Sequence, residues 1–97
     1  MPSRPDEKLR LDKFLKVSRL IKRRTLAKDV CDRGLVMVNG RVAKAGAEIK
    51  PGDEITLSLG RRRIKVAVVT TAESVPARMA SEMYRILEEK TEELQET

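Results

Sequence analysis

Between Lys8 and Lys28 the chain carries nine basic residues and a single acid, Asp12. Helical spacing groups the cations. Lys13 and Lys16 are three apart, as are Lys16 and Arg19, while Arg24 and Lys28 are four apart, so each pair shares a helix face. The apolar residues Leu11, Phe14, Leu15, Val17, Leu20 and Ile21 recur at the spacing of a buried face, and their burial would hold the charges outward. The chemistry open to such a stripe is recognition of a polyanion. Each phosphate it neutralises releases condensed counterions, which gives strong affinity that falls with salt. Arginine adds forked donors that clamp one phosphate or stack on an exposed base. A merely solvated helix face mixes both signs, because like charges this close repel. The expected nucleic-acid contacts are Arg10, Lys13, Lys16, Arg19, Lys22, Arg23, Arg24 and Lys28. The amphipathicity is of the core-forming kind, and the strands that follow need the apolar face, so no membrane partner is expected.

Other chemistries lack their residues. Histidine is absent, which removes His-containing metal sites and His-based activation of a nucleophile. No paired acids or nucleophile–base set appears, so neither catalysis, nor a metal, nor a cofactor is expected. Cys31 is the single cysteine; it allows no intrachain disulfide and reads as a small core residue in a reducing compartment. No apolar run approaches the roughly 20 residues that span a bilayer, and the N-terminus lacks a signal peptide's apolar stretch. A cytoplasmic location follows as the expectation.

Positioning the stripe requires a small fold. The 97 residues suit one domain with a short appendage, and Phe14 and Tyr84 are the only aromatics, so the core must be aliphatic. The net charge of +6 is unevenly spread: residues 1–72 carry a net +10 and residues 73–97 a net −4. Residues 1–7, with two prolines, read as a flexible leader. A helical pattern runs from Leu9, breaks somewhere between Ser18 and Arg24, and resumes from Arg24 to Arg33, where Leu26, Ala27, Val30 and Cys31 would be buried. Gly34 is the expected stop. The period then changes to two: Val36 to Val38 and Arg41 to Ala43 flank Asn39-Gly40, the strongest short hairpin signal a sequence offers. Lys44 to Ile49 reads as an irregular connection, and Pro51-Gly52 as a turn. Glu54 to Leu59, with Ile55, Leu57 and Leu59 on one face, and Ile64 to Val68 form a second hairpin. Its tip would carry Arg61, Arg62 and Arg63, as a second phosphate contact or as a polar turn. Asp12 is expected in a structural hydrogen bond or salt bridge. Residues 71–97 read as a polar linker and an acidic C-terminal helix. Met79, Met83, Ile86 and Leu87 would face the domain, and Glu82, Glu88, Glu89, Glu92, Glu93 and Glu96 fall mostly elsewhere.

Four segments in this order resemble the S-four RNA-binding domain: Arg10 to Leu15, Arg24 to Ala27, Gly34 to Gly40, and Lys50 to Asp53. The resemblance covers roughly residues 8–70. It implies an α+β fold, with two N-terminal helices packed on a small antiparallel sheet, to which the C-terminal helix would be added. Arg23 departs from the pattern, since many members have a serine there that caps the second helix; lost capping and an extra phosphate contact are expected. Arg10 and Arg24 match positions that contact RNA in the family. Residues 10–28, and again Ala80 to Leu87, are most similar to the small stand-alone bacterial members that serve ribosome quality control. That similarity implies a protein on obstructed large ribosomal subunits, near large-subunit rRNA and peptidyl-tRNA, while an RqcH-type tailing factor directs alanine-tail addition. A monomer is expected.

Four alternatives compete. A heat-shock-type protein would recycle free large subunits bearing tRNA, but its relatives tend to have a longer, basic C-terminal extension. A generic rRNA-binding assembly factor, or the targeting domain of an RNA-modifying enzyme, would share the stripe. A pure protein adaptor would have no use for it.

Overall fold

The computed structural model describes residues 9–71 and 77–91. The expected leader, most of the linker and the last residues, with Glu92, Glu93 and Glu96, lie outside them. The elements run β1 (Leu9–Arg10), α1 (Leu11–Val17), α2 (Arg24–Asp32), β2 (Val36–Val38), β3 (Arg41–Val42), β4 (Glu48–Ile49), β5 (Glu54–Leu59) and β6 (Arg62–Val68). A 3-10 helix (Ala77–Met83) and β7 (Tyr84–Thr91) complete them. The first strand pairs antiparallel with β4, and the other five form one antiparallel sheet in the order β3-β2-β5-β6-β7.

Apolar spacing decides what is buried. Leu11, Phe14 and Leu15 of α1 are fully buried together with Val36, Ile49, Ile55, Leu57 and Val66, and Ala27, Val30 and Cys31 of α2 join the same cluster. Along β6 the pattern alternates, with Ile64, Val66 and Val68 inward. The helices therefore lie over one face of the sheet, and their charged residues, apart from the buried Asp12, face outward.

Local chemistry sets the ends of the elements. Neither helix has a side-chain N-cap. At α1 the Leu11 and Asp12 N–H groups donate to the Ala47 and Ala45 carbonyls at 2.7 and 3.1 Å, so the segment read as an irregular connection supplies the missing acceptors. At α2 the residue before the first turn is Arg23, which leaves the capping role unfilled as its side chain dictates. Gly34 ends α2 at φ +76°; its N–H bonds to Cys31 O and that of Leu35 to Val30 O, the paired bonds of a Schellman cap. Asn39 and Gly40 both have positive φ, 54° and 86°, as a two-residue hairpin of the primed type requires. The Asn39 side chain also ties that turn to β5: its amide donates to Asp53 at 3.2 Å, and its carbonyl oxygen accepts from the Glu54 N–H at 2.9 Å.

Several sequence expectations need correction. Leu9 and Arg10 are extended and pair with Ile49 and Glu48, so α1 begins two residues later than its periodicity suggests. Leu26 is 48% exposed rather than buried. The expected acidic C-terminal helix is, over Tyr84–Thr91, the strand β7, which pairs with β6 along its length; among the described residues of that segment only Ala77–Met83 is helical, as a 3-10 turn. Arg85, Leu87, Glu88, Glu89 and Lys90 favour helix locally, but β6 presents a row of N–H and C=O groups that β7 satisfies, and tertiary pairing overrides weak propensity. Of the apolar stripe expected to pack inward, Met83 is buried while Met79, Ile86 and Leu87 are exposed. The Arg61–Arg63 tip is a two-residue Gly60-Arg61 turn, with Arg62 and Arg63 already in β6.

Candidate nucleic-acid interface

The packing of α1 against α2 builds the first part of the site. Asp12, on the first turn of α1, is 2% exposed. Arg10 Nε donates to its Oδ1 at 3.2 Å, and Arg24 Nε, from the start of α2, to its Oδ2 at 3.5 Å. Burial alone would raise the Asp12 pKa. The Arg10 hydrogen bond, the charges of Arg24 and Arg10 and the Lys13 backbone N–H outweigh it and hold the carboxyl below its ordinary value. One buried anion thus anchors two guanidinium groups whose side chains remain about half exposed, at 52% and 49%. Their stems are fixed and their outward donors are left for a partner.

The second part is the turn between the helices. Lys16, Arg19 and Lys22 line a concavity of about 270 Å³. Lys22 also borders an open depression of about 480 Å³ with Arg23, Thr25, Leu26 and Asp29. Lys16, Arg19, Lys22 and Arg23 are all exposed and have no acidic partner among the described residues. The remaining two expected contacts differ. Lys28 is ion-paired to Asp32 one turn on, at 3.4 Å, and Lys13 is half-buried.

Two acids of the sheet are committed to sheet cations. Glu89 on β7 is ion-paired to Arg62, and Glu54 to Lys65 at 3.3 Å. Arg62 and Lys65 are thus neutralised on the sheet, whereas Lys16 of α1 and Arg19, Lys22 and Arg23 of the interhelical turn have no acidic partner among the described residues. Asp53 is equally structural. Burial pushes its carboxyl up, but the Lys50 N–H, the Asn39 amide and the Lys50 ammonium outweigh that and leave its pKa below the ordinary value. Cys31 is buried, and its thiol is pushed up to about 11, first by burial and then by the Asp12 and Asp32 carboxylates. A buried thiol that stays protonated is a core residue, not a nucleophile.

The sequence named the eight cations as expected RNA contacts and placed Asp12 in a structural hydrogen bond or salt bridge, and the structure forms that pair with Arg10 and Arg24. Sequence reasoning missed Thr25 and the exposed Leu26, whose place in the depression depends on how α2 is rotated against α1. Among the described residues no cluster of metal-ligating side chains occurs. No helix among them is long and apolar enough to cross a membrane.

A helix pair that packs on an antiparallel sheet and presents a cationic outer face defines a small domain of the S4 class, and the S4 domain family matches residues 9–55. Relatives extend the match beyond that domain. The chain is 51% identical over 82 residues to the RQC P-site tRNA stabilizing factor of Halalkalibacterium halodurans, covering 84% of this chain and 93% of that one. The factor of the same name from Bacillus subtilis is also 51% identical over 82 residues, with 84% and 95% covered. The protein belongs to this family of RQC P-site tRNA stabilizing factors, RqcP. Among solved structures, heat shock protein 15 of Vibrio cholerae, a trimer in that structure, superposes with a TM-score of 0.76 at 32% identity, covering 82% of each chain.

Proposed function

We propose that this protein binds obstructed large ribosomal subunits carrying peptidyl-tRNA. It contacts rRNA and tRNA through Arg10, Lys13, Lys16, Arg19, Lys22, Arg23, Arg24 and Lys28, and supports RqcH-directed alanine tailing of the stalled chain. It acts as a cytoplasmic monomer by binding alone, without catalysis. The observation that carries the reading is the helix surface itself. Two arginines are oriented by a buried aspartate, and four more exposed cations have no acidic partner among the described residues. The name shared by relatives at 51% identity supports the P-site tRNA as target. Heat shock protein 15, the alternative, matches at 32% and is less favoured.

Sedimentation of lysate tests the reading. The protein is expected to travel with large subunits that hold stalled peptidyl-tRNA; if it stays in the soluble fractions when such subunits are abundant, the ribosomal assignment fails. Arg24→Ala is expected to weaken binding and lower the salt slope by about one phosphate contact.

A further inference from the structure

The two helices end differently. At the position after the last helical residues where α2 has Gly34, α1 has Arg19, at φ +65°. The first bond is alike, the Arg19 N–H reaching Lys16 O at 3.1 Å as that of Gly34 reaches Cys31 O, while the second comes from one residue further on, the Ile21 N–H reaching Leu15 O at 3.0 Å. A left-handed backbone is unfavourable for a residue with a Cβ, and glycine or asparagine is the usual occupant of this place. The arginine is therefore held in an uncommon conformation, with its side chain at the concavity it shares with Lys16 and Lys22.

Beside it lies a second anomaly. Leu26 is half exposed in the adjoining depression, which Lys22 and Arg23 also line. The acid lining that depression, Asp29, is ion-paired to Arg33 at 3.2 Å. A cationic surface without acidic partners selects an anionic occupant, and an exposed leucine within it needs an occupant that also has an apolar face. A paired duplex presents phosphates but keeps its base faces stacked. An unstacked nucleotide offers both. Neither aromatic of the chain can supply the platform such a base usually finds, since Phe14 is fully buried and Tyr84 packs against the core from β7.

We propose that the two depressions, which meet at Lys22, form one subsite for a single unstacked nucleotide of the bound RNA. Its phosphate lies among Lys16, Arg19 and Lys22, and its base rests on the ledge of Leu26 and Arg23. The subsite rests on the RNA-binding reading above and adds to it the chemical feature that is recognised.

Three RNA hairpins, alike except for one bulged nucleotide, the same bulge lacking its base, or no bulge, test this by fluorescence anisotropy. The bulged hairpin is expected to bind tightest. Removing its base is expected to cost about fivefold, the scale of a half-exposed leucine becoming covered. Leu26→Ala is expected to shrink the ratio between bulged and abasic hairpins toward one. Arg19→Asn, which suits the left-handed backbone while deleting the charge, is expected to lower the salt slope by about 0.7–0.9. Its unfolding midpoint should not fall, and Arg19→Lys should restore the slope. Equal binding of all three hairpins, or a bulged-to-abasic ratio that Leu26→Ala leaves intact, overturns the ledge. An undiminished slope in Arg19→Asn overturns the phosphate pocket. If all hairpins bind alike with a steep salt slope, the subsite alone falls; if none binds and the protein also fails to sediment with large subunits, the RNA-binding reading falls with it.

Discussion

Replacing Asp12 with asparagine removes one charge from beneath two guanidinium groups while keeping the side chain's shape. A hydrogen bond to a charged group contributes about 1.5–3 kcal/mol when well buried. Here both guanidinium groups are half exposed and the bonds are long, at 3.2 and 3.5 Å, so screening reduces each to about 1 kcal/mol. Asparagine keeps part of that, and Asp12→Asn is expected to lose about 1–2 kcal/mol at neutral pH, read from urea unfolding. The pH dependence follows from the lowered pKa of Asp12. A carboxyl whose folded pKa lies below its unfolded value of about 4 contributes stability that is complete above that value and disappears as pH falls through the folded one. Asparagine does not titrate, so the gap between the two proteins should be widest near pH 7 and close in acid, below about pH 4. A gap that stays constant into that range would refute the electrostatic account. Binding gives a second, sharper readout. The substitution raises the net charge from +6 to +7, and counterion release alone then favours tighter RNA binding. If Asp12 aims Arg10 and Arg24, binding must weaken despite the extra positive charge. Tighter binding would show that the clamp does not position anything.

Three other substitutions or probes follow from the packing. Phe14→Ala removes the largest fully buried side chain and is expected to cost about 3–5 kcal/mol in urea unfolding, since a core of this size cannot close the cavity. Cys31, with its thiol pushed up to about 11, should resist maleimide in the native state at pH 8 and react at once in denaturant; rapid native labelling would contradict its burial. Asn39→Ala should destabilise by about 1–2 kcal/mol, because alanine tolerates φ +54° poorly and the bonds to Asp53 and Glu54 go with the amide, an effect that thermal unfolding would measure.

The parts of the fold that could be read from sequence are those whose signals are local. The Asn39-Gly40 hairpin and the Gly34 stop depend on backbone conformations that few residues accept, and both stand where their chemistry requires. The alternation along β5 and β6 reflects one buried face, which a period of two records directly. What stayed hidden depends on distant partners. Two residues of β1 carry no period, and only their pairing with β4 makes them a strand. Residues 84–91 mix helix formers (Arg85, Leu87, Glu88, Glu89, Lys90) with strand formers (Tyr84, Ile86, Thr91), and pairing with β6 decides between them. The cationic surface was legible as a list of residues, but its organisation was not. That Arg10 and Arg24 share one carboxylate, and that Leu26 faces outward, follow from how the helices pack.

The position of β7 also bears on how the molecule behaves in a crowded cell. It is one outer strand of the sheet, and β3, only two residues long, is the other. A long bare strand edge is a template on which other chains assemble into fibrils. This edge carries Arg85, Glu88, Glu89 and Lys90, and a bulge at Leu87, where Lys65 pairs with Glu88 but Val66 with Ile86, breaks its regularity. Charge and kink together make the edge a poor template, so the strand that completes the sheet also guards the protein against aggregation.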